Sequence, residues 1–332
     1  MFRVLIAVAY MYICRGQLSD HMVTNCTDFD EFLAFRSTLN YAAIFNDIAP
    51  FQWNSQINAA TYSCDALFQD KNEETCQADA LNLDQARESN PKYVEDLSMG
   101  GNIRVTSFFI RDSGSCQDNQ RPAYWSKSDI IALSKNPSTC GQYGNGNCEL
   151  AFSKYSSYIH QKNGIVIGSF YYWAEAAAIR FGAKSITTVE YNPIQTNHRK
   201  VKITTPSQYA ASFLTTPRDD LLVDFIISYS SLEHDGLGRY GDPLNAFGDL
   251  LSLGKAFCML KPGGVLFLGL PIGQDEVQFN AHRIYGYYRL SIVLSLGFEL
   301  VDVVSAAPFT INTYNGDSTQ PVLVLRKPVE AV

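Results

Sequence analysis

The stretch YSSLEHDGLGRYGDP, Tyr229 to Pro243, follows the apolar run DFIIS and gathers Glu233, His234, two aspartates and three glycines. Side chains of these types can do one of three things. Glu233, His234, Asp235 and Asp242 are metal-ligand types, but neighbouring loop residues rarely converge on one ion. Neither HxxxH nor HExxH occurs in the chain, so no metal is expected. As an acid/base centre, His234 is the right group, because an imidazole titrates near neutral pH with little tuning. Glu233 is its candidate partner. The third reading is structural: Gly236, Gly238 and Gly241 supply positive φ, and Asp242-Pro243 starts the next helix. A second polar group, Asn280-Ala281-His282-Arg283-Ile284-Tyr285, follows later. There His282 could relay a proton. Arg283 could hold a carboxylate or phosphate of a substrate, with Asp235 on the opposite loop. Both could equally be satisfied hydrogen-bonding groups at a helix start.

These residues need a scaffold, and the pattern after residue 160 supplies one. Short apolar runs at 164–168, 185–190, 202–204, 224–228, 265–270, 298–304 and 321–326 read as strands. Stretches 173–181, 249–260 and 290–296 read as helices, the first stopped by Gly182. Apolar strands alternating with helices predict an α/β fold, a doubly wound and mostly parallel sheet covered on both faces. No helix separates the last two strands, which predicts an antiparallel hairpin at the sheet edge. Before residue 160 the periodicity is poor, with short helices expected near 28–39 and 128–133. The chain therefore divides into 1–16, a signal peptide; 17–160, a cysteine-rich N-terminal region; and 161–332, the α/β domain.

Charge and cysteines bound the setting. Net charge is −7 in 332 residues, and no Lys/Arg cluster forms a phosphate-tracking patch, so nucleic-acid binding is not expected. Arg3 precedes an apolar run from Val4 to Cys14, the length of a signal core and too short to span a bilayer. This predicts a mature chain beginning near Gln17 in the secretory pathway or outside the cell. Asn25-Cys26-Thr27 is a glycosylation sequon, which makes Asn25 the candidate glycan site. Cys26, Cys64, Cys76, Cys116, Cys140 and Cys148 lie in the N-terminal region, without the CxxC pairs of a zinc site. They predict up to three disulfides there, of undetermined pairing. Cys258, on an apolar helix face, is expected to be a buried free thiol.

The order of motifs carries a resemblance. Asp224-Phe225, Leu232-Glu233-His234, Leu260 to Gly264, Pro271 and Gly297 to Glu299 resemble class I S-adenosylmethionine-dependent methyltransferases over about residues 164–327. The phrases GSFYYWAEAAAIRFGAKSITTVEYN, SSLEHDGLGRYGDP and FNAHRIYG look like the nematode-rich family called domain of unknown function 268. The resemblance implies a Rossmann-like sheet of methyltransferase type, with S-adenosylmethionine beyond the carboxyl ends of the strands at the switch point. It places the cofactor near Gly168, Ser169, Glu190, Tyr191 and Ser228. Glu190, 22 residues after Gly168, stands where such folds hold the ribose hydroxyls. Two features depart from the pattern. Only Gly168 represents the usual glycine-rich loop, and four aromatics follow it, either as pocket wall or, more commonly, as core packing. The third strand ends in Thr204-Thr205, with no acid.

Three functions are consistent with these residues. The first is a secretory-pathway methyltransferase-like protein acting on a glycan or small-molecule hydroxyl, which needs alignment and a base. The second is a non-catalytic secreted binding domain. The third is a nucleotide-sugar enzyme on the same scaffold.

Overall fold

The computed structural model describes residues 31–32, 34–46, 48, 51–55, 59–69, 82–107, 123–135, 146–240, 242–306, 311 and 320–329. At its centre is a seven-stranded sheet. In chain order its strands are β1 (Asn163–Ile167), β2 (Ser185–Val189), β3 (Val201–Thr204), β4 (Val223–Tyr229), β5 (Leu260–Gly269), β6 (Glu299–Val304) and β7 (Val322–Arg326). In space they run β6-β7-β5-β4-β1-β2-β3. The pairings β1·β2, β2·β3, β1·β4 and β4·β5 are parallel, and β7 is antiparallel to both β5 and β6. The chain builds outward from β1 to β3, then returns to lay β4 on the other side of β1. The boundary between β1 and β4 is therefore the switch point.

Side chains alternate across this sheet, and both sets are buried. Ile165, Ile226, Leu266, Leu268, Leu323 and Leu325 face one core. Helices α2 (Pro206–Thr215), α3 (Gly248–Met259) and α4 (Tyr287–Val293) cover it. Val166, Phe225, Ile227, Val265, Phe267 and Val324 face a second core against α1 (Trp173–Arg180) and the helix Asn147–Lys154. An Ala-rich α1 suits this place, because Ala174, Ala177 and Ala178 let the helix approach the sheet closely. Gly182 ends α1 at φ +85°. Helix α2 went unread in the sequence, although Thr205 and Gln208 form a capping box before it.

The N-terminal region packs into the same first core. Phe45, Phe51, Leu67, Phe68, Tyr93 and Leu97 join Leu250 and Leu253 of α3 there. A covalent link strengthens this contact: Cys64 and Cys258 form a disulfide with Cα atoms 5.7 Å apart. The expectation of a free Cys258 thiol is thus corrected. An apolar helix face buries a thiol and a half-cystine equally well, and the residue that meets it comes from far away in sequence. Cys148 is also disulfide-bonded. Cys26, Cys76, Cys116, Cys140, the sequon at Asn25 and the predicted signal all lie outside the described residues. No helix among the described residues is long and apolar enough to cross a membrane.

Candidate functional site at the switch point

Two loops meet above the boundary of β1 and β4. After β1, Gly168 takes φ +67°, and its amide donates to Val189 O at 3.0 Å. A Cβ built on Gly168 would lie 1.7 Å from Ser231 Oγ, so the loop after β4 passes directly over it. Only glycine permits both the backbone and the approach. Ser169 is buried and donates to Glu175 Oε2 at 3.0 Å. Thr188 donates to Glu175 Oε1 at 2.7 Å. Glu175, fully buried on α1, was not among the expected site residues. Burial pushes its carboxyl up to about 7, against those two hydroxyl donors.

Glu190 stands at the end of β2. It is buried, and its Oε1 accepts from Asn192 N at 3.0 Å and Asn192 Nδ2 at 2.9 Å. Burial raises this carboxyl above its ordinary value, partly offset by the Asn192 amides and the Tyr191 and Ser169 backbone. Beside it the aromatics divide. Trp173 packs in the second core, but Phe170 is 81% exposed and Tyr171 49% exposed, and Tyr191 is exposed as well. The more common core reading therefore fails for the first two residues of that run. They sit on a turn before α1 begins, where no layer covers them. At the end of β3 the Thr205 hydroxyl is engaged in capping α2.

The LEHDG segment forms a 3₁₀ turn, Leu232–His234. Ser230 precedes it at φ +51°, a left-handed conformation uncommon for a residue with a Cβ. Its hydroxyl donates to Glu233 Oε1 at 2.7 Å and accepts from Gln320 Nε2 at 3.1 Å. His234 Nδ1 lies 2.5 Å from Ala281 O, and a carbonyl only accepts, so Nδ1 carries the proton. Nε2 then holds the lone pair, 3.5 Å from Glu233 Oε1. Burial first, and then the Arg239 cation, push His234 down to about 3, so the ring is neutral at physiological pH. His282 lies across from it, with ring centroids 6.2 Å apart. Ser228, at the end of β4, is buried, and its Oγ has no hydrogen-bond partner among the described residues.

The rest of the loop is scaffold. Asp242 accepts from the amides of Gly236 at 2.6 Å, Gly238 at 3.2 Å and Tyr240 at 3.2 Å. Gly236 and Gly238 adopt φ +79° and +72°, while Gly241 lies outside the described residues. The following helix starts at Gly248 and not at Pro243, because Asp242 is spent on this turn. Asp235 accepts from Ser252 at 2.6 Å and points into the fold, where burial raises its pKa well above the ordinary value. Tyr93 of the N-terminal region donates to Gly236 O at 2.7 Å.

Arg283 is a correction to the sequence reading. Its guanidinium is fully buried and donates to the carbonyls of Glu233 (3.2 Å), Asp235 (2.6 Å), Asn245 (3.3 Å) and Ala246 (3.1 Å). Its Nε lies 3.5 Å from Asp249, which also takes a bidentate pair from Arg289 and the Tyr285 hydroxyl. Burial alone would raise Asp249, but Arg283 and Arg289 hold it below the usual carboxylate range. Arg283 therefore staples the LEHDG loop to α3, with both of its Nη groups engaged on backbone carbonyls. Its position on a short strand, His282–Ile284, and not at a helix start, puts it inside the wall. Among the described residues no group of three His, Cys, Asp or Glu side chains could hold a metal ion.

Solved structures match this chain at low identity. The Burkholderia thailandensis 1,6-didemethyltoxoflavin-N1-methyltransferase, solved with S-adenosylhomocysteine, is 12% identical. The match spans 60% of this chain and 85% of that one, with a TM-score of 0.38. The N-methyltransferase NodS of Bradyrhizobium japonicum, also with S-adenosylhomocysteine, is 14% identical over 60% of this chain and 97% of its own, at 0.35. No curated protein matches the sequence. The family described as "Caenorhabditis protein of unknown function, DUF268" matches residues 161–327. With half of its length so matched, and with the α/β sheet and LEHDG turn inside the match, the chain belongs to the DUF268 family.

Proposed function

We propose that the chain binds S-adenosylmethionine across the switch point and passes its methyl group to a small-molecule or glycan acceptor in the secretory pathway. The observation that carries this reading is the approach of the Gly168 loop to Ser231 at the boundary of β1 and β4, with the next residue, Ser169, hydrogen-bonded through its backbone to Glu190. Ligands of such sheets bind beyond the carboxyl strand ends at that point. The residues fit the cofactor's ribose and methionine ends. Glu190 would hold the ribose hydroxyls from the end of β2, the place where such folds carry the ribose acid. The Gly168–Ser169 backbone would face the methionine end. The cofactor supplies an electrophilic methyl group on sulfur. His234 Nε2 is the group that would hold the acceptor's proton, with Glu233 beside it. The Cys64–Cys258 and Cys148 disulfides support the oxidising compartment.

The first loop favours a rival, a binding domain without turnover. Phe170 and Tyr171 stand where small residues usually approach the cofactor, and the end of β3 offers hydroxyls in place of an acid. Thermal unfolding with and without S-adenosylhomocysteine separates the two. Binding to the folded state alone raises the midpoint. A midpoint unmoved by millimolar ligand would favour the rival.

A further inference from the structure

The far end of the sheet gathers cations that no single run of the sequence contains. Strands β1, β2 and β3 are parallel neighbours, so their starts share one edge, opposite the carboxyl ends that hold the candidate site. Lys162, Lys184 and Lys200 stand immediately before those strands. The backbone makes them neighbours: Lys184 N donates to Lys162 O at 2.8 Å, and Ile186 N donates to Lys200 O at 2.8 Å. With strands about 4.8 Å apart, the three starts span roughly 10 Å. Arg199 precedes Lys200, and Lys202 lies on the edge strand β3. Lys127 joins them, because its amide donates to Asn197 Oδ1 at 2.6 Å. All six side chains are exposed, and among the described residues none of the six forms an ion pair. The acids near this edge do not neutralise it. Asp224 on β4 is held by Lys261 Nζ and the Asn163 amide, each at 2.9 Å. Asp219 and Asp220 precede β4, so the basic row ends at β1. The row is felt inside the fold: burial first, and then Lys127 and Lys200, push the buried His198 below its ordinary pKa. This is a basic edge on a chain of net charge −7.

We propose that the edge formed by the starts of β1, β2 and β3 is an anchoring surface for a sulfated polysaccharide. A linear polyanion sets its charges in a row, as this edge sets its cations. Lysine suits it, being a point charge on a flexible stem that follows a hydrated chain without a fixed fork. None of the exposed large apolar residues lies in segments 160–163, 183–186 or 197–202. The edge therefore lacks the apolar face of a membrane-inserting surface and the stacking platform of a nucleic-acid groove. The choice of sulfate over nucleic-acid phosphate rests also on the secretory-pathway reading, which the disulfides support. The surface is independent of the methyl-transfer reading. It lies at the other end of β1, five residues or roughly 16 Å away, so a bound polysaccharide leaves the switch point open.

The test is calorimetric titration of the full chain with a size-defined heparin oligosaccharide at physiological salt. Saturable binding that weakens as salt rises is expected. The triple variant Lys162→Gln, Lys184→Gln, Lys202→Gln should bind about tenfold more weakly, with an unchanged melting temperature. Lys200 is left in place because its Nζ donates to Ala183 O at 2.8 Å. Lys184→Gln alone should weaken binding by about twofold, and serves if the triple variant does not fold. A second triple, Arg87→Gln, Lys92→Gln, Arg104→Gln, removes the same charge from exposed positions of the N-terminal region and should bind as wild type does. Absence of heparin binding, or an equal loss in both triples, would overturn the anchoring surface. Duplex DNA or phosphatidylserine vesicles bound as tightly as heparin would overturn the choice of partner.

Discussion

His234 is anchored by Ala281: ring Nδ1 and backbone oxygen are 2.5 Å apart, in the one geometry that leaves Nε2 as the free base. This separates shape from chemistry. His234→Asn can keep a donor toward Ala281 O but cannot take a proton at neutral pH. The expected result is a melting temperature close to wild type and turnover lower by about 10²–10⁴-fold. A destabilised variant with normal turnover per folded molecule would make His234 a loop anchor and nothing more.

Arg283 tests the opposite case. Replacing it with leucine strands Asp249 with one buried cation fewer and leaves four carbonyls without their donor. Breaking a buried pair from one side costs about 3–5 kcal/mol. Denaturant unfolding of Arg283→Leu should show a loss of that size. An unchanged midpoint together with lost ligand binding would restore Arg283 as a substrate anchor.

The Cys64–Cys258 disulfide closes a loop across 194 residues and ties the N-terminal region to α3. Cys258→Ala is expected to lower stability by about 2–5 kcal/mol. Thiol titration of denatured, unreduced protein should find neither Cys64 nor Cys258 reactive. Modification of Cys258 under those conditions would contradict the pairing.

Glu175 gives a pH dependence with a defined sign. Its folded pKa of about 7 exceeds the ordinary 4.5, so the folded state favours the protonated form. That contribution is complete below about pH 4.5 and is lost as pH rises through about 7. Glu175→Gln keeps the shape and removes the titration. Relative to wild type, the variant should gain about 3 kcal/mol between pH 4 and pH 8 in denaturant unfolding. A constant difference across that range would show that Glu175 does not titrate there.

The sheet was legible because its strands are buried on both faces and read as continuous apolar runs, such as Phe225–Ile227 and Val265–Leu268. That Gly168 follows the first strand and Glu190 the second was legible from the resemblance together with their 22-residue spacing. The pairing of Cys64 with Cys258 was not, since local sequence carries no trace of a partner 194 residues away. Arg283 misled for a similar reason: its five donors suit a ligand carboxylate as well as four backbone carbonyls, and the fold alone decides. Gln320 gave no signal at all, because its hydrogen bond is to Ser230, 90 residues earlier.

Calorimetric titration of the purified chain with S-adenosylhomocysteine, wild type beside Glu190→Ala, tests the central claim most directly. The account predicts saturable 1:1 binding by wild type and a loss of about 1–3 kcal/mol in the variant, the cost of removing charge-assisted hydrogen bonds to the ribose. Wild-type protein that releases no binding heat at millimolar ligand, or a Glu190→Ala variant that binds as tightly as wild type, would contradict it.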